Sequence, residues 1–425
     1  MLELPFDIMS HILKFLPVRD LLRFRCLSKS YCSLIDSRDF INYHLSQSNN
    51  LNTNRSLIIA QSFYKHKNLK SSTKIYSMNL DSAYPHLVEY DQPLSVYSES
   101  LPHNTIPDYD YKDQLQNNFS IVGSCNGLIA FYHPEHGMLL WNPSTKKQQN
   151  LPDFWGLHEV IGSVYLLIHG FGYDPVSDDY KVIRVWKIIS GRRKELRVMV
   201  YSVKHNSRRT IEEDFPYDVM SRCSTLVGSY LHWIVTKPDD CRWIVAFNME
   251  DEKFHKVPSP DLKYEDYGLM ELAAVGGCLS MCMDARRDSL LEIWVMKEYG
   301  MRDSWIRIVS VDKANFSRYT PSRVKLIGCS KTGDKLLFDV EGYELWEYDL
   351  QKEEEKEETS QHSQNHIYRW KQCSPYKHVR GTEKWKQRLS NKRVRRIEML
   401  KGKLIIWEYS FICVRSLVPV NLHVD

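Results

Sequence analysis

The apolar positions of this chain change rhythm once, near residue 55. Before that point they follow a helical period. Ile8, Ile12 and Leu16 recur every fourth residue and Leu13 widens the stripe, which is the spacing of one apolar helix face. Pro5 suits a first helical position, because the N–H it lacks would be unpaired there. Asp7 sets a negative charge against the positive end of the helix. Leu16-Pro17 ends the segment, since the residue before a proline is pushed out of the α region. A second stretch opens at Arg19-Asp20 with Leu21, Leu22 and Phe24 as its apolar positions, and Ser28 is placed to cap a third that carries Leu34 and Ile35. Three helices within residues 1–45 hold too little material for a core of their own. They are expected to lend an apolar face to another protein.

Ser46–Asn54 reads as a polar loop, and Ser56-Leu57-Ile58-Ile59-Ala60 as the first strand. From there the apolar runs are short, rich in Trp and Tyr, and punctuated by Gly, Asn, Asp and Pro, the pattern of an all-β fold. A loose repeat runs through them. Gly123-Ser124-Cys125-Asn126-Gly127-Leu128-Ile129-Ala130-Phe131 is followed by Leu139-Leu140-Trp141-Asn142-Pro143-Ser144-Thr145. The same order of glycine turn, apolar strand, hairpin and aromatic strand returns at Val227–Ile234, Val275–Met281, Gly333–Phe338 and, more weakly, Lys401–Ile406. Units roughly 45 to 60 residues apart fall near the period of propeller blades. A small four-stranded sheet cannot cover both of its faces, and radial stacking covers them. A β-sandwich is the alternative architecture.

Residues 351–396 break this pattern. Lys352-Glu353-Glu354-Glu355-Lys356-Glu357-Glu358 has no apolar stripe and reads as a solvated loop inserted in the β domain. The basic stretch from Lys384 to Arg396 reads as surface, with nuclear import or an acidic partner as the alternative.

Bulk properties remove several function classes. The chain has 425 residues and a formal net charge of +4, so no global basic field argues for nucleic acid. No apolar run approaches a membrane span. Glu3 and Asp7 interrupt the place where a secretory leader needs a basic then apolar run. The ten cysteines form no C-x-x-C pairs and read as reduced thiols, which predicts cytoplasm or nucleus.

No constellation asks for a reaction. There is no Gly-x-Ser-x-Gly elbow and no phosphate-binding loop. Cys278 and Cys282 fall on one strand, buried, without the second pair a zinc tetrahedron needs. His133 with His136, and His362 with His366, have ligand-like spacing but sit in turn and charged-loop sequence. Cys26 and Cys32 are packing residues of the helices, and Asp178-Asp179 fits a strand-entry turn. The expectation is a non-catalytic protein without metal or cofactor.

Leu4-Pro5, the spaced Ile residues, Leu16-Pro17, Leu21-Leu22, Arg25, Ser28-Lys29 and Leu34-Ile35 together resemble an F-box, with Tyr31 where that family often has Trp. Gly170-Phe171-Gly172-Tyr173-Asp174, Asp178–Val185, Met296–Gly300, Asp303-Ser304-Trp305 and Ser416-Leu417-Val418 resemble the plant F-box-associated, or F-box/kelch-repeat, domain. Asn206-Ser207-Arg208-Arg209 lacks the Trp that often follows Asn-Ser there. The likeness is to the constitutive-expresser-of-pathogenesis-related-genes type and to the S-locus F-box proteins. It implies a mainly β chain with a small α head: a three-helix F-box at 1–45, then a β-propeller-like, kelch-type domain at 46–425. It further implies a substrate-recognition subunit of a Skp–cullin–F-box ubiquitin ligase. Leu4, Pro5, Ile8, Ile12, Leu16, Pro17, Leu21, Leu22, Arg25 and Leu34 would meet the Skp adaptor, and the β domain would bind a target protein, an immune receptor by analogy. The competing expectation is a propeller enzyme or carbohydrate binder with an unrelated helical head.

Overall fold

The computed structural model describes residues 5–64, 71–82, 87–90, 120–133, 137–152, 163–211, 215, 218–220, 224–236, 242–262, 266–285, 289–316, 320–351, 394–397 and 409–420. Four helices come first: α1 (Phe6–Leu13), α2 (Val18–Phe24), α3 (Lys29–Asp36) and α4 (Arg38–Asn50). The fourth corrects the reading of Ser46–Asn54 as a loop. Polar composition there reflects an exposed helix face, while Phe40, Ile41, His44, Leu45 and Ser48 supply the buried one. Ser28 caps α3 as expected, accepting from the Tyr31 N–H, and Ser37 caps α4 in the same way. Pro5 stands one position earlier than expected, as the cap residue, and its carbonyl accepts from the Ile8 and Met9 amides. The first helix stops at Leu13, so Leu16 lies in the following turn.

The chain then builds six small antiparallel sheets among the described residues, three in each of two compact units. In the first unit, β1 (Arg55–Tyr64), β2 (Ser71–Asn79) and β3 (Leu87–Glu89) form one sheet. The next is β4 (Ser120–Cys125), β5 (Leu128–His133), β6 (Gly137–Asn142) and β7 (Lys147–Leu151). The third is β8 (Ser163–Asp174), β9 (Asp179–Ser190), β10 (Arg193–Ser202) and β11 (Ser207–Ile211). The second unit opens with β12 (Asp218–Val219), β13 (Thr225–Val227), β14 (Tyr230–Thr236), β15 (Arg242–Asn248) and β16 (Phe254–Val257). It continues with β17 (Tyr267–Val275), β18 (Cys278–Ala285), β19 (Leu290–Met296) and β20 (Trp305–Asp312). Its last sheet is β21 (Val324–Cys329), β22 (Lys335–Val340), β23 (Glu344–Asp349) and β24 (Val394–Ile397). The final strand, β25 (Tyr409–Val414), returns to the first sheet and pairs with β1 from Arg55↔Val414 to Ala60↔Tyr409.

Inner strands of several blades are covered on both faces. Leu128–Phe131, Asp179–Trp186, Ile244–Asn248 and Cys278–Met283 are buried without interruption, as strands packed between two layers must be. This is why Leu128–Phe131 and Ile244–Phe247 read as apolar runs instead of alternating ones, while β9 buries Asp179, Lys181 and Arg184 among its apolar residues. Cys278 and Cys282 are buried in β18, as expected. The Ser207–Ile211 stretch, which departs from the family pattern, still pairs with β10 as an outer strand. Val394–Ile397 corrects the insertion boundary: Val394 to Arg396 pair with β23 instead of belonging to a loop. The remaining acidic and basic stretches, the weak repeat at Lys401–Ile406, His136, His362 and His366 lie outside the described residues.

One turn geometry recurs at Asn142–Lys147, Asp174–Asp179, Ser202–Ser207 and Asn248–Lys253. Each opens on Asn, Asp or Ser, and the fifth residue is left-handed: Lys146, Asp178, Asn206 and Glu252 have φ between 46° and 57°. The first side chain accepts turn amides, for example Ser144 N–H at 2.8 Å on Asn142 and Val176 N–H at 2.9 Å on Asp174. That bond replaces a backbone one and holds the loop closed. Asp178 and Asp179 thus sit at a strand-entry turn, as the sequence predicted.

The motif Met296–Gly300 has a packing role. The Tyr299 hydroxyl lies 2.7 Å from Nε2 of His232, which is fully buried, and Nδ1 of His232 lies 3.0 Å from the Thr225 carbonyl. A carbonyl only accepts, so Nδ1 carries the proton and Nε2 accepts from tyrosine. Burial takes this histidine from 6.5 to about 4, against the smaller pull of backbone hydrogen bonds. The unfolded chain binds the proton near pH 6.5 and the folded chain refuses it until about pH 4. The contribution is therefore full above pH 6.5 and drains as pH falls from there to 4. Its size is on the order of 3 kcal/mol. Urea denaturation at a series of pH values is expected to show this loss for the parent chain and a shallower one for His232→Asn. Equal slopes would reject it.

Candidate functional site

The helical head divides its apolar residues between an inside and an outside. Leu13, Val18, Leu21, Leu34, Ile35, Phe40 and Ile41 form its interior. His44 joins them and reaches back to the turn after α1, with Nε2 2.9 Å from the Leu16 carbonyl. Nε2 is therefore a protonated nitrogen, and burial lowers the pKa of the ring. Arg25, just after α2, ties to Asp36 of α3 at 2.5 Å, and the Cys32 thiol shares that carboxylate at 3.5 Å. Lys14 donates to the Tyr43 hydroxyl at 2.5 Å and lies 4.9 Å from the centre of the Phe15 ring.

The head thus has a core of its own, completed by the fourth helix, which corrects the expectation that it holds too little material for one; large apolar side chains still remain outside. Phe6, Ile8, Ile12 and Phe15 are 52%, 47%, 54% and 55% exposed. Ile8 and Ile12 follow the four-residue spacing of one helix face, Phe6 opens the same helix, and Phe15 stands exposed in the turn just after it. Leu27 is exposed as well. Isolated exposed apolar residues are ordinary, whereas a contiguous set on one face marks an interaction surface.

The sequence-predicted residues separate accordingly. Pro5, Ile8, Ile12 and Pro17 are exposed, and Leu16, Leu22 and Arg25 are half-buried. Leu21 at 0% and Leu34 at 1% are sealed inside the head, which corrects their placement on a docking face: a side chain with no surface packs helix against helix. Leu4 lies outside the described residues. Phe6 and Phe15 join the exposed set although helical spacing does not select them; the signal they leave in the sequence is an aromatic residue on either side of Ile8 and Ile12. Among the described residues, no three His, Cys, Asp or Glu side chains gather as a metal centre.

Comparison with known proteins gives this arrangement a family. Residues 86–378 match the F-box associated beta propeller domain, and residues 1–43 match the F-box domain. The chain belongs to the plant F-box proteins with an F-box-associated β-propeller. It is 29% identical over 375 residues to F-box protein CPR1 of Arabidopsis thaliana, a match covering 83% of each chain. It is 29% identical over 317 residues to the F-box/kelch-repeat protein At3g23880 of the same plant, covering 73% of this chain and 79% of that one. F-box protein At4g22390 follows at 27% identity over 373 residues, with 80% and 81% covered. The exposed stripe thus lies on the F-box, and the six sheets are the blades of the propeller.

Proposed function

We propose that this F-box protein is the substrate-recognition subunit of a Skp–cullin–F-box ubiquitin ligase. The observation that carries the reading is the exposed α1 stripe on an F-box whose own core is already filled. Pro5, Phe6, Ile8, Ile12, Phe15 and Pro17, with the half-buried Leu16 and Leu22, would pack against a Skp-type adaptor. A fully buried Leu or Ile contributes about 1.5–3 kcal/mol, so four side chains that are already half covered supply together on the order of 3–6 kcal/mol. Association costs about 4–15 kcal/mol, so the stripe acts with its polar rim and not alone. Arg25, held by Asp36, sets register more than affinity.

The propeller would hold a target protein, and the adaptor would join both to a cullin. The chain's contribution is proximity and orientation, with ubiquitin transfer carried out by other subunits. An immune receptor, suggested by the family resemblance, is the first target to test, in cytoplasm and nucleus. Affinity capture of the full chain from plant tissue is expected to bring down a Skp-type adaptor and a cullin together. Capture of neither, with the chain intact, would reject this role.

A further inference from the structure

The join between the F-box and the first unit's sheets centres on one asparagine. Asn54 sits between α4 and β1, 8% exposed, with φ of 56°. Helix α2 begins after Pro17, whose side chain makes no cap hydrogen bond. The Val18 N–H at its start donates instead to Oδ1 of Asn54 at 3.4 Å. Nδ2 of Asn54 donates to the hydroxyl of Ser48 in α4 at 2.9 Å. The Asn54 carbonyl accepts from the Arg415 N–H at 2.5 Å, just beyond β25. Arg415 in turn donates through Nε to the Ser56 hydroxyl in β1 at 2.6 Å. Two helices of the head and two strands of a blade therefore meet on one residue and its neighbours. Asparagine suits the place, since it tolerates the left-handed backbone and carries both a donor and an acceptor. A second point lies at the other end of α4, about 20 Å away for 13 residues, where Arg38 pairs with Asp178 in the β8–β9 turn.

We propose that Asn54 and Arg38 are positioning residues: together they brace α4 at both ends and make the F-box and the first unit's blades one rigid piece. The two points differ in weight. Buried hydrogen bonds outweigh an ion pair as exposed as Arg38–Asp178, which solvent screens. Asn54 carries most of the constraint and Arg38 trims the direction. A partner held on the α1 stripe would then face the blades in one fixed orientation; that consequence rests on the proposed adaptor role, whereas the brace itself does not.

Spin labels test the brace directly on the full chain. One label goes on Cys26, which is exposed on the head instead of packed between its helices as the sequence suggests, and one on an introduced Arg192→Cys, exposed in the third blade. Cys32, Cys223, Cys241 and Cys373 are changed to Ser. The parent is expected to give one narrow distance distribution. Asn54→Gly keeps the backbone geometry but loses both side-chain bonds, and is expected to broaden the distribution by about twofold or more. Asn54→Asp retains the Val18 acceptor and is expected to fall between the two. A broad distribution in the parent, or an unchanged one in Asn54→Gly, would overturn the proposal. Should Asn54→Gly not fold, unchanged widths in both Asn54→Asp and Arg38→Glu would overturn it. Adaptor capture by the same variants is a separate readout, so failure of the ligase role is not confused with failure of the brace.

Discussion

Replacing Ile8 and Ile12 together by aspartate is expected to weaken capture of a Skp-type adaptor by about 100-fold or more, with the head and blades still folded. Both side chains are roughly half exposed in the free chain, so aspartate at either position stays hydrated and costs the fold little. In the complex the same positions would be covered, and two carboxylates would lose water without a partner. The lost apolar burial and the desolvation of charge act in the same direction, and about 2.7 kcal/mol suffices for the hundredfold. Leu21→Asp makes the contrast. Leu21 has no exposed surface, so a charge there is expected to unfold the head itself, seen as lost helical circular dichroism. Titration of each purified variant against the adaptor separates the cases. Binding of the Ile8/Ile12 variant within a few-fold of the parent would place the docking face elsewhere.

Gly127→Ala is expected to cost the first unit about 2–4 kcal/mol, although it adds one methyl group. Asn126 and Gly127 close the β4–β5 hairpin with φ of 50° and 84°, the two-residue turn whose twist matches its strands. A Cβ at Gly127 would point into the Ser416 side chain and come within 2.7 Å of the Val414 carbonyl. Those atoms have nowhere to go. The Ser416 hydroxyl donates to the Asn126 carbonyl at 2.6 Å. Nδ2 of Asn142 donates to the carbonyls of Ser416 and Val418, at 3.1 and 2.8 Å. The end of the chain is thus pinned onto a blade begun some 290 residues earlier. Gly228→Ala isolates the backbone part: its φ is 60°, but nothing lies within 4 Å of the added carbon, so about 1 kcal/mol is expected. Urea denaturation monitored by Trp141 and by Trp233, which lie in different units, measures the two. Equal losses would mean that the Ser416 contact adds nothing.

Much of this protein is written in short-range pattern. The helical spacing of Ile8 and Ile12, the cap at Ser28, and the Asn126-Gly127 and Asp178-Asp179 turns depend on neighbours within a few residues, so the sequence alone determined them. The repeat of glycine turns and aromatic strands likewise determined a β fold of small sheets, because no single such sheet can hide both faces. Tertiary structure decided what depends on distant contact. Only packing shows that Leu21 and Leu34 fill the head while Phe6 and Phe15 stay outside, since one apolar stripe serves either purpose. Only packing turns the polar Ser46–Asn50 stretch into a helix end, through the buried face that Ser48 completes. The roles of Asn54, Asn142 and Tyr299 rest on contacts such as Asn54–Val18, Asn142–Val418 and Tyr299–His232, which span 36, 276 and 67 residues, separations at which spacing carries no signal and only the folded chain brings donor to acceptor.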